Sequence, residues 1–218
     1  MRCTCRVVKK SAILIAILLI IALLTVGGRL AYNFFGDNVH NVIPGKIYRT
    51  AQLDQAGLKK YTRKFHLKTI INLRGSWPSN HWYQVESHFA KIHHLHYYSL
   101  QFSAYHVPTK KMLRKLVQLL QTAPQPLAFH CEGGADRTGM AAAISVILYD
   151  KNATAAQIER QASWHYNAVS PRTVGYQVMR NYFAWLKKNH HVHSSKLLFL
   201  EWMKSSVKMK PYKGWFVV

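Results

Sequence analysis

The chain has 218 residues, enough for one ordinary domain with a real core and an appendage. Its 30 lysines and arginines against 8 acidic residues give a formal charge of +22. That balance does not specify a fold, but it favours anionic partners: phosphates, anionic lipid headgroups or nucleic acid. Only 3 cysteines occur, and Cys3 and Cys5 sit at the extreme N-terminus, which excludes a disulfide framework within the folded part.

Residues 1–10 carry Arg2, Arg6, Lys9 and Lys10 and no acid, forming a basic tail. Ser11 to Val26 is then almost unbroken Ile, Leu and Ala. That run alone, at ~1.5 Å per residue, is short for a ~30 Å hydrocarbon core. Continuing through Gly27-Gly28 to Leu30 and Ala31, with Arg29 snorkelling, makes it long enough. Cleavage chemistry is poor around Val26, Gly28 and Arg29, which favours an uncleaved anchor over 11–31 rather than a removed signal peptide. A run apolar on all sides also fits badly as a core helix. Basic residues ahead of the span put the N-terminus in the cytoplasm. The expectation is a single-pass inner-membrane protein whose folded part is extracytoplasmic, periplasmic in a Gram-negative bacterium.

Residues 32–41 read as a linker around Gly36-Asp37-Asn38, ahead of a folded domain over 42–190. Val42 to Gln52 suggests short strands around a Pro44-Gly45 turn. Leu53 to His66 has helical spacing, with Leu53, Leu58, Tyr61 and Phe65 on one face. Lys68 to Leu73 reads as a buried strand closed by Arg74-Gly75. His81 to His93 predicts a helix with Trp82, Val85, Phe89 and Ile92 inward, and Leu95 to Leu100 alternates as a strand. Pro108 to Gln121 is an amphipathic helix capped by Thr109. Thr154 caps another helix, and Ser170-Pro171 opens one running to about Lys188. Strands alternating with helices predict an α/β domain with a central, mostly parallel sheet flanked by helices. The extension over 191–218 mixes Leu197, Leu198, Phe199, Trp202 and Trp215-Phe216 with lysines. It suits either a segment lying on anionic lipid or a helix capping the domain.

Between the helix at 108–121 and the apolar helix-former Met140 to Tyr149 lies the most informative stretch, Phe129-His130-Cys131-Glu132-Gly133-Gly134-Ala135-Asp136-Arg137-Thr138-Gly139. It reads as strand, tight loop and helix N-terminus. The first helical N–H groups lack intrahelical partners, and the helix dipole turns its positive end to the loop. Gly133 and Gly134 let successive N–H groups converge on one point, with Glu132 and Ala135 completing a phosphate cup. Arg137 supplies a planar fork for two phosphate oxygens. Cys131 sits among these positive dipoles, which favour the thiolate, its nucleophilic form.

His-Cys, five residues and Arg-Thr-Gly resembles the signature of cysteine-dependent phosphatases, closest to small bacterial dual-specificity-like enzymes. Gly45-Lys46-Ile47-Tyr48-Arg49-Thr50-Ala51-Gln52 and Asn72-Leu73-Arg74-Gly75 match the stretches that precede the Cys loop there, so the likeness covers roughly Asn41 to Asn189. The resemblance implies a dual-specificity phosphatase-like fold and phosphate monoester hydrolysis through a cysteinyl-phosphate, with no metal and no cofactor. It implies that His130 orients the loop and that Thr138 hydrogen-bonds the Cys sulfur. Arg74 is a second phosphate or substrate contact, because open α/β sheets bind ligands at the carboxyl ends of strands.

Tyrosine phosphatases carry a general acid in a Trp-Pro-Asp loop. Trp77-Pro78-Ser79 lacks the carboxylate and lies too early, so it reads as an ordinary loop. The loop Gln101 to Val107, where related enzymes place the acid, holds no Asp or Glu; His106 is its only ordinary proton carrier. Asp136, beside the loop arginine as in some phosphoinositide phosphatases, is the expected acid, with His106 and Glu132 in reserve. The histidine clusters at 93–96 and 190–193 lack neighbouring Cys, Asp or Glu at ligand spacing. Three functions follow: a membrane-anchored protein tyrosine or dual-specificity phosphatase, a phospholipid or inositol-phosphate headgroup phosphatase, or a catalytically weak phosphate-binding module. Nucleic acid is disfavoured, since the basic residues are dispersed and no recognition motif occurs.

Overall fold

The computed structural model describes residues 2–214, with side chains from Ile13 onward; the basic tail's side chains and Trp215-Phe216 lie outside those described. The first helix, α1 (Arg2–Phe35), runs through the expected span and four residues into the stretch read as a linker. An 18-residue window within Ile13–Phe35 has mean hydropathy 2.6 and no buried residue, so this is one helix long and apolar enough to cross a membrane. Asp37 and Asn38 then take left-handed backbone (φ 62° and 46°), which short polar side chains tolerate, and turn the chain sharply into the sheet.

A hairpin, β1 (His40–Ile43) and β2 (Ile47–Thr50), is followed by α2 (Gln55–Phe65), β3 (Thr69–Asn72), α3 (His81–Ile92) and β4 (His96–Ser99). Next come α4 (Lys110–Thr122), β5 (Leu127–His130) and α5 (Asp136–Tyr149). The chain closes with α6 (Ala155–Arg160), one 3-10 turn at Trp164–Tyr166, α7 (Val174–Lys188) and α8 (Lys196–Lys204). The sheet order is β1-β2-β5-β3-β4. All pairings are parallel except β1 with β2, as expected for a sheet built from crossover units.

Adjacent strand residues face opposite layers, as a period of two requires. Ile71 and Phe129 enter the larger core with helix residues such as Leu113 and Leu116 of α4, Ala141 and Ile144 of α5, and Val178 and Tyr182 of α7. Ile70 instead joins Leu58, Tyr61 and Phe89 on the other side. Caps form where polar side chains reach free N–H groups: Asp54 accepts from Gly57, and Thr154 with Gln157 makes a reciprocal box.

Two expectations need correction, and the alternative left open for the tail is decided. Ile92 is 51 % exposed, because α3 turns Glu86 inward instead. The helix expected from Ser170-Pro171 starts only at Val174, capped at Thr173. Within the tail, Phe199, Trp202 and Met203 are buried against the main core, so Lys196–Lys204 caps the domain rather than lying on lipid.

Candidate active site

β5 is central, buried and paired on both sides, so it delivers Cys131 to the carboxyl edge of the sheet between the ends of β2 and β3. α5 leaves the loop almost wholly buried, with Thr138 to Leu148 all inside. Strand and helix are thus both clamped, and the loop 131–135 has little freedom between them.

Its main chain is also held from outside. Gln52 N–H donates to Glu132 O at 2.8 Å, Asn38 Nδ2 to Gly133 O at 3.0 Å and Arg49 Nη2 to Gly134 O at 2.9 Å. Three consecutive carbonyls are therefore drawn outward. None of the N–H groups of Glu132, Gly133, Gly134 and Ala135 donates to another described residue. Glu132 and Gly133 are exposed and Gly134 and Ala135 buried, so these free donors stand at the mouth of the loop, ahead of a helix N-terminus, open to an anionic acceptor. Gly134 has φ +66°, and a Cβ there would lie 2.8 Å from both Ala51 N and Thr50 O, so both backbone sign and space call for glycine.

A cavity of about 640 Å³ opens beside the loop, lined by Arg74, Trp77, Trp82, Gln101, Ser103, His106, Glu132 and Arg137 among others. Four expected site residues therefore share one wall: Arg74, His106, Glu132 and Arg137. The Arg137 Nε is buried without a partner, a donor suited to an oxyanion. Arg74 stacks on Trp82 (3.9 Å to the ring centroid), donates to Gln52 Oε1 at 3.2 Å and lies 3.6 Å from Glu132. The flat ring and two acceptors fix the fork without consuming all five donors. Ser103 Oγ takes N–H bonds from Tyr105 and His106 and lies 3.0 Å from His106 Nδ1. With its lone pairs so used, the hydroxyl donates to Nδ1, which leaves Nε2 of the neutral ring as the proton-bearing edge.

The remaining expected residues lie off that wall. Cys131 is 2 % exposed, between the strand and the lining residue Glu132. Thr138 Oγ1 is buried without any partner, so the expected bond to the Cys131 sulfur is not made. Asp136 begins α5 half-buried and is not among the cavity-lining residues. Burial pushes its carboxyl above the ordinary range against the pull of Arg137. His130 points away from the cavity: Nδ1 donates to Cys131 O at 3.0 Å, and Nε2 lies 2.8 Å from Glu86 Oε1. Nδ1 must carry a proton to reach a carbonyl, while Nε2 stands within ion-pair distance of the buried Glu86 carboxylate.

Sequence reading missed three contributors. Glu86, 1 % exposed, receives His130 as well as Tyr97 Oη at 2.8 Å and Gln52 Nε2 at 3.3 Å. Burial pushes the Glu86 carboxyl up, but His130 and the three hydrogen bonds outweigh it and hold the group below its ordinary value. Arg49 is fully buried, forks between Gly134 O and Gln161 O and stacks on Tyr166 (3.8 Å). Burial lowers it to about 10, opposed by Tyr166 and Cys131, so it remains a cation near the sulfur at neutral pH. Asn38 is buried and ties the end of the α1 turn to the loop. The only sequence signal was the Gly45–Gln52 stretch, which contains Arg49 and Gln52. Among the described residues no three His, Cys, Asp or Glu side chains gather as a metal site.

A family model described as "Tyrosine phosphatase family" matches residues 32–159. No curated protein matches the chain. Among solved structures, the core catalytic domain of the PP-IP phosphatase SIW14 from S. cerevisiae superposes with TM-score 0.56 and 22 % identity, covering 72 % of this chain and 96 % of that one. PTPMT1 in complex with PI(5)P gives TM-score 0.54 and 15 % identity over 71 % and 99 %. P. aeruginosa TpbA in complex with pTyr gives 0.50 and 16 % over 78 % and 93 %. At such identities the shared property is the fold.

Proposed function

The chain belongs to the tyrosine phosphatase family, and we propose that it hydrolyses phosphate monoesters through a cysteinyl-phosphate at Cys131, as a membrane-anchored enzyme of tyrosine or dual-specificity type. One observation carries this reading: carbonyls 132–134 are tied outward while the N–H groups of 132–135 stay unpaired beside a buried, unpartnered Arg137 Nε. That is a cup of donors for a tetrahedral oxyanion. In the first step the Cys131 sulfur attacks phosphorus, the ester P–O bond breaks, and the leaving oxygen takes a proton from Asp136. In the second, water attacks the phosphocysteine, its proton passes to the Asp136 carboxylate, and the S–P bond breaks to release inorganic phosphate. Glu132, Gly133, Gly134, Ala135 and Arg137 bind the phosphoryl oxygens, and Arg74 and His106 meet the rest of the substrate.

The test is turnover of an aryl phosphate, whose leaving group needs little protonation, by the parent and by Cys131→Ser. Real activity lost completely in the variant is the expected result; no activity in the parent would leave only a phosphate-binding module.

A second reading, a phospholipid or inositol-phosphate headgroup substrate, is favoured by the Asn38 bond to Gly133 O, only three residues beyond the end of α1. It brings the catalytic loop close to a helix of membrane-spanning length. Comparing a phosphotyrosine peptide with phosphoinositide or phosphatidylglycerophosphate vesicles separates the two. The anchor reading further places the catalytic domain outside the cytoplasm; a reporter fused after Val218 that works only in the cytoplasm would refute this.

A further inference from the structure

A second cavity, also about 640 Å³, lies between α6, the 3-10 turn and α7, lined by Arg160, Trp164, His165, Met179 and Arg180. It shares no lining residue with the catalytic cavity. Glu159 is the single carboxylate on its wall, and among the described residues neither arginine has a carboxylate within 4.0 Å. Burial, then Arg160 and Arg29, lower the His165 imidazole, which marks the local field as positive. Such a wall suits a phosphate: two guanidiniums for its oxygens, and an indole and a thioether for whatever apolar matter follows.

Its position indicates which phosphate. Arg29 Nε (3.3 Å) and Asn33 Nδ2 (2.9 Å) of α1 both donate to His165 O, and Asn33 Nδ2 also reaches Asn167 Oδ1 at 3.2 Å. Counted from Ser11, where the apolar run begins, at ~1.5 Å per residue, those two positions lie ~27 and ~33 Å along the helix, the far edge of a ~30 Å hydrocarbon layer. The cavity is therefore held at headgroup depth. Trp164 is 46 % exposed and Phe34 and Phe35 are 77 % and 83 % exposed, aromatic side chains of the kind that settle at a membrane boundary.

We propose that this cavity is a non-catalytic binding site for the headgroup phosphate of an anionic phospholipid in the membrane that α1 enters. Arg160 and Arg180 hold the phosphate, and Trp164 packs on the glycerol and upper chain. The inference rests on α1 being an uncleaved span but not on the chemistry at Cys131.

The full chain, reconstituted in phosphatidylcholine vesicles containing a minority of phosphatidylglycerol, tests it with bromine-labelled lipids. The Trp164 contribution is the parent emission less that of Trp164→Phe. Brominated phosphatidylglycerol should quench it more strongly than brominated phosphatidylcholine at equal share. Arg160→Gln with Arg180→Gln should cut that preference by roughly ten-fold, as for a lost charge-assisted contact, with aryl phosphate turnover unchanged. Equal quenching by the two lipids, or none, overturns the site. So does displacement by soluble glycerol phosphate, which would make the ligand a free phosphate. Should the double variant lose turnover as well, the parent's preference between the two lipids decides alone. N-terminal sequencing checks the anchor: a mature chain lacking α1 removes the proposal along with that reading. A parent without turnover would sink only the phosphatase mechanism.

Discussion

The buried Glu86–His130 pair gives the most exposed prediction. Replacing Glu86 with Gln keeps the shape and one acceptor oxygen but turns an amide donor towards groups that themselves donate. The contact is 2.8 Å between side chains 3 % and 1 % exposed, so solvent offers little relief. Breaking a buried pair by neutralising one partner costs about 3–5 kcal/mol. Since Gln retains the Tyr97 bond, a loss of ~3 kcal/mol at pH 7 is expected. The pH dependence follows from the depressed Glu86 carboxyl. Its stabilisation is complete above the unfolded value, ~4.3, and is lost as pH falls through the lower folded value. Parent and variant should therefore differ at pH 7 and converge in acid. Urea titration followed by tryptophan emission at both pH values measures this. A difference under ~1 kcal/mol at pH 7, or equal acid slopes in the two proteins, would refute the view that this pair anchors the strand behind Cys131.

Three further outcomes are expected. Asp136→Asn should slow alkyl phosphates far more than aryl phosphates, by roughly 100-fold for a lost general acid; equal losses in steady-state kinetics would make Asp136 structural. Arg49→Lys keeps the charge but cannot span Gly134 O and Gln161 O, so ~2 kcal/mol of stability should go, together with much of the aryl phosphate turnover; unfolding midpoints and kcat report both. Burial, with Arg49 and Arg29 nearby, lowers His40 from 6.5 to about 4, so the stability it contributes is complete above pH 6.5 and lost as pH falls towards 4. At ~1.4 kcal/mol per pH unit the full shift would total roughly 3 kcal/mol, but His40 is only partly buried, so solvent screening cuts this to about 1 kcal/mol, and His40→Gln should flatten that part of the stability curve in urea titrations.

The layout of the sheet and of the strand, loop and helix around Cys131 was legible because local signals agreed there. Pro126 to Phe129 is apolar strand, Gly133-Gly134 is turn, and Met140 to Ala143 is helix. Such agreement between levels is what makes a segment readable. Glu86 was not legible, since an acid on an amphipathic helix is ordinarily solvated and its partner His130 lies far along the chain. Periodicity accordingly put Ile92 inside, where the structure leaves it exposed. The stretch 32–41 failed for a related reason: Gly36, Asp37 and Asn38 have the composition of a linker. Asn33 and Asn38 are nevertheless buried, because their amides serve main-chain carbonyls of His165, Gly133 and Tyr166. Polar residues buried by non-local main-chain bonds carry no periodic signature.

That distinction also separates the secure half of the site from the variable half. In the proposed mechanism phosphate binding is a backbone property, with three carbonyls tied outward by two segments of the chain, one at Asn38 and one at Arg49 and Gln52. No single side-chain change turns all the N–H groups of the cup away, and the geometry exists before any substrate arrives. Protonation of the leaving group depends instead on one side chain. The two candidates divide the requirements between them: Asp136 has the raised carboxyl but stands off the cavity wall, while His106 lines the wall and presents an N–H edge. The less a leaving group needs its proton, the less that division matters. Substrate range should therefore be set by the acid, while phosphate affinity is set by the loop.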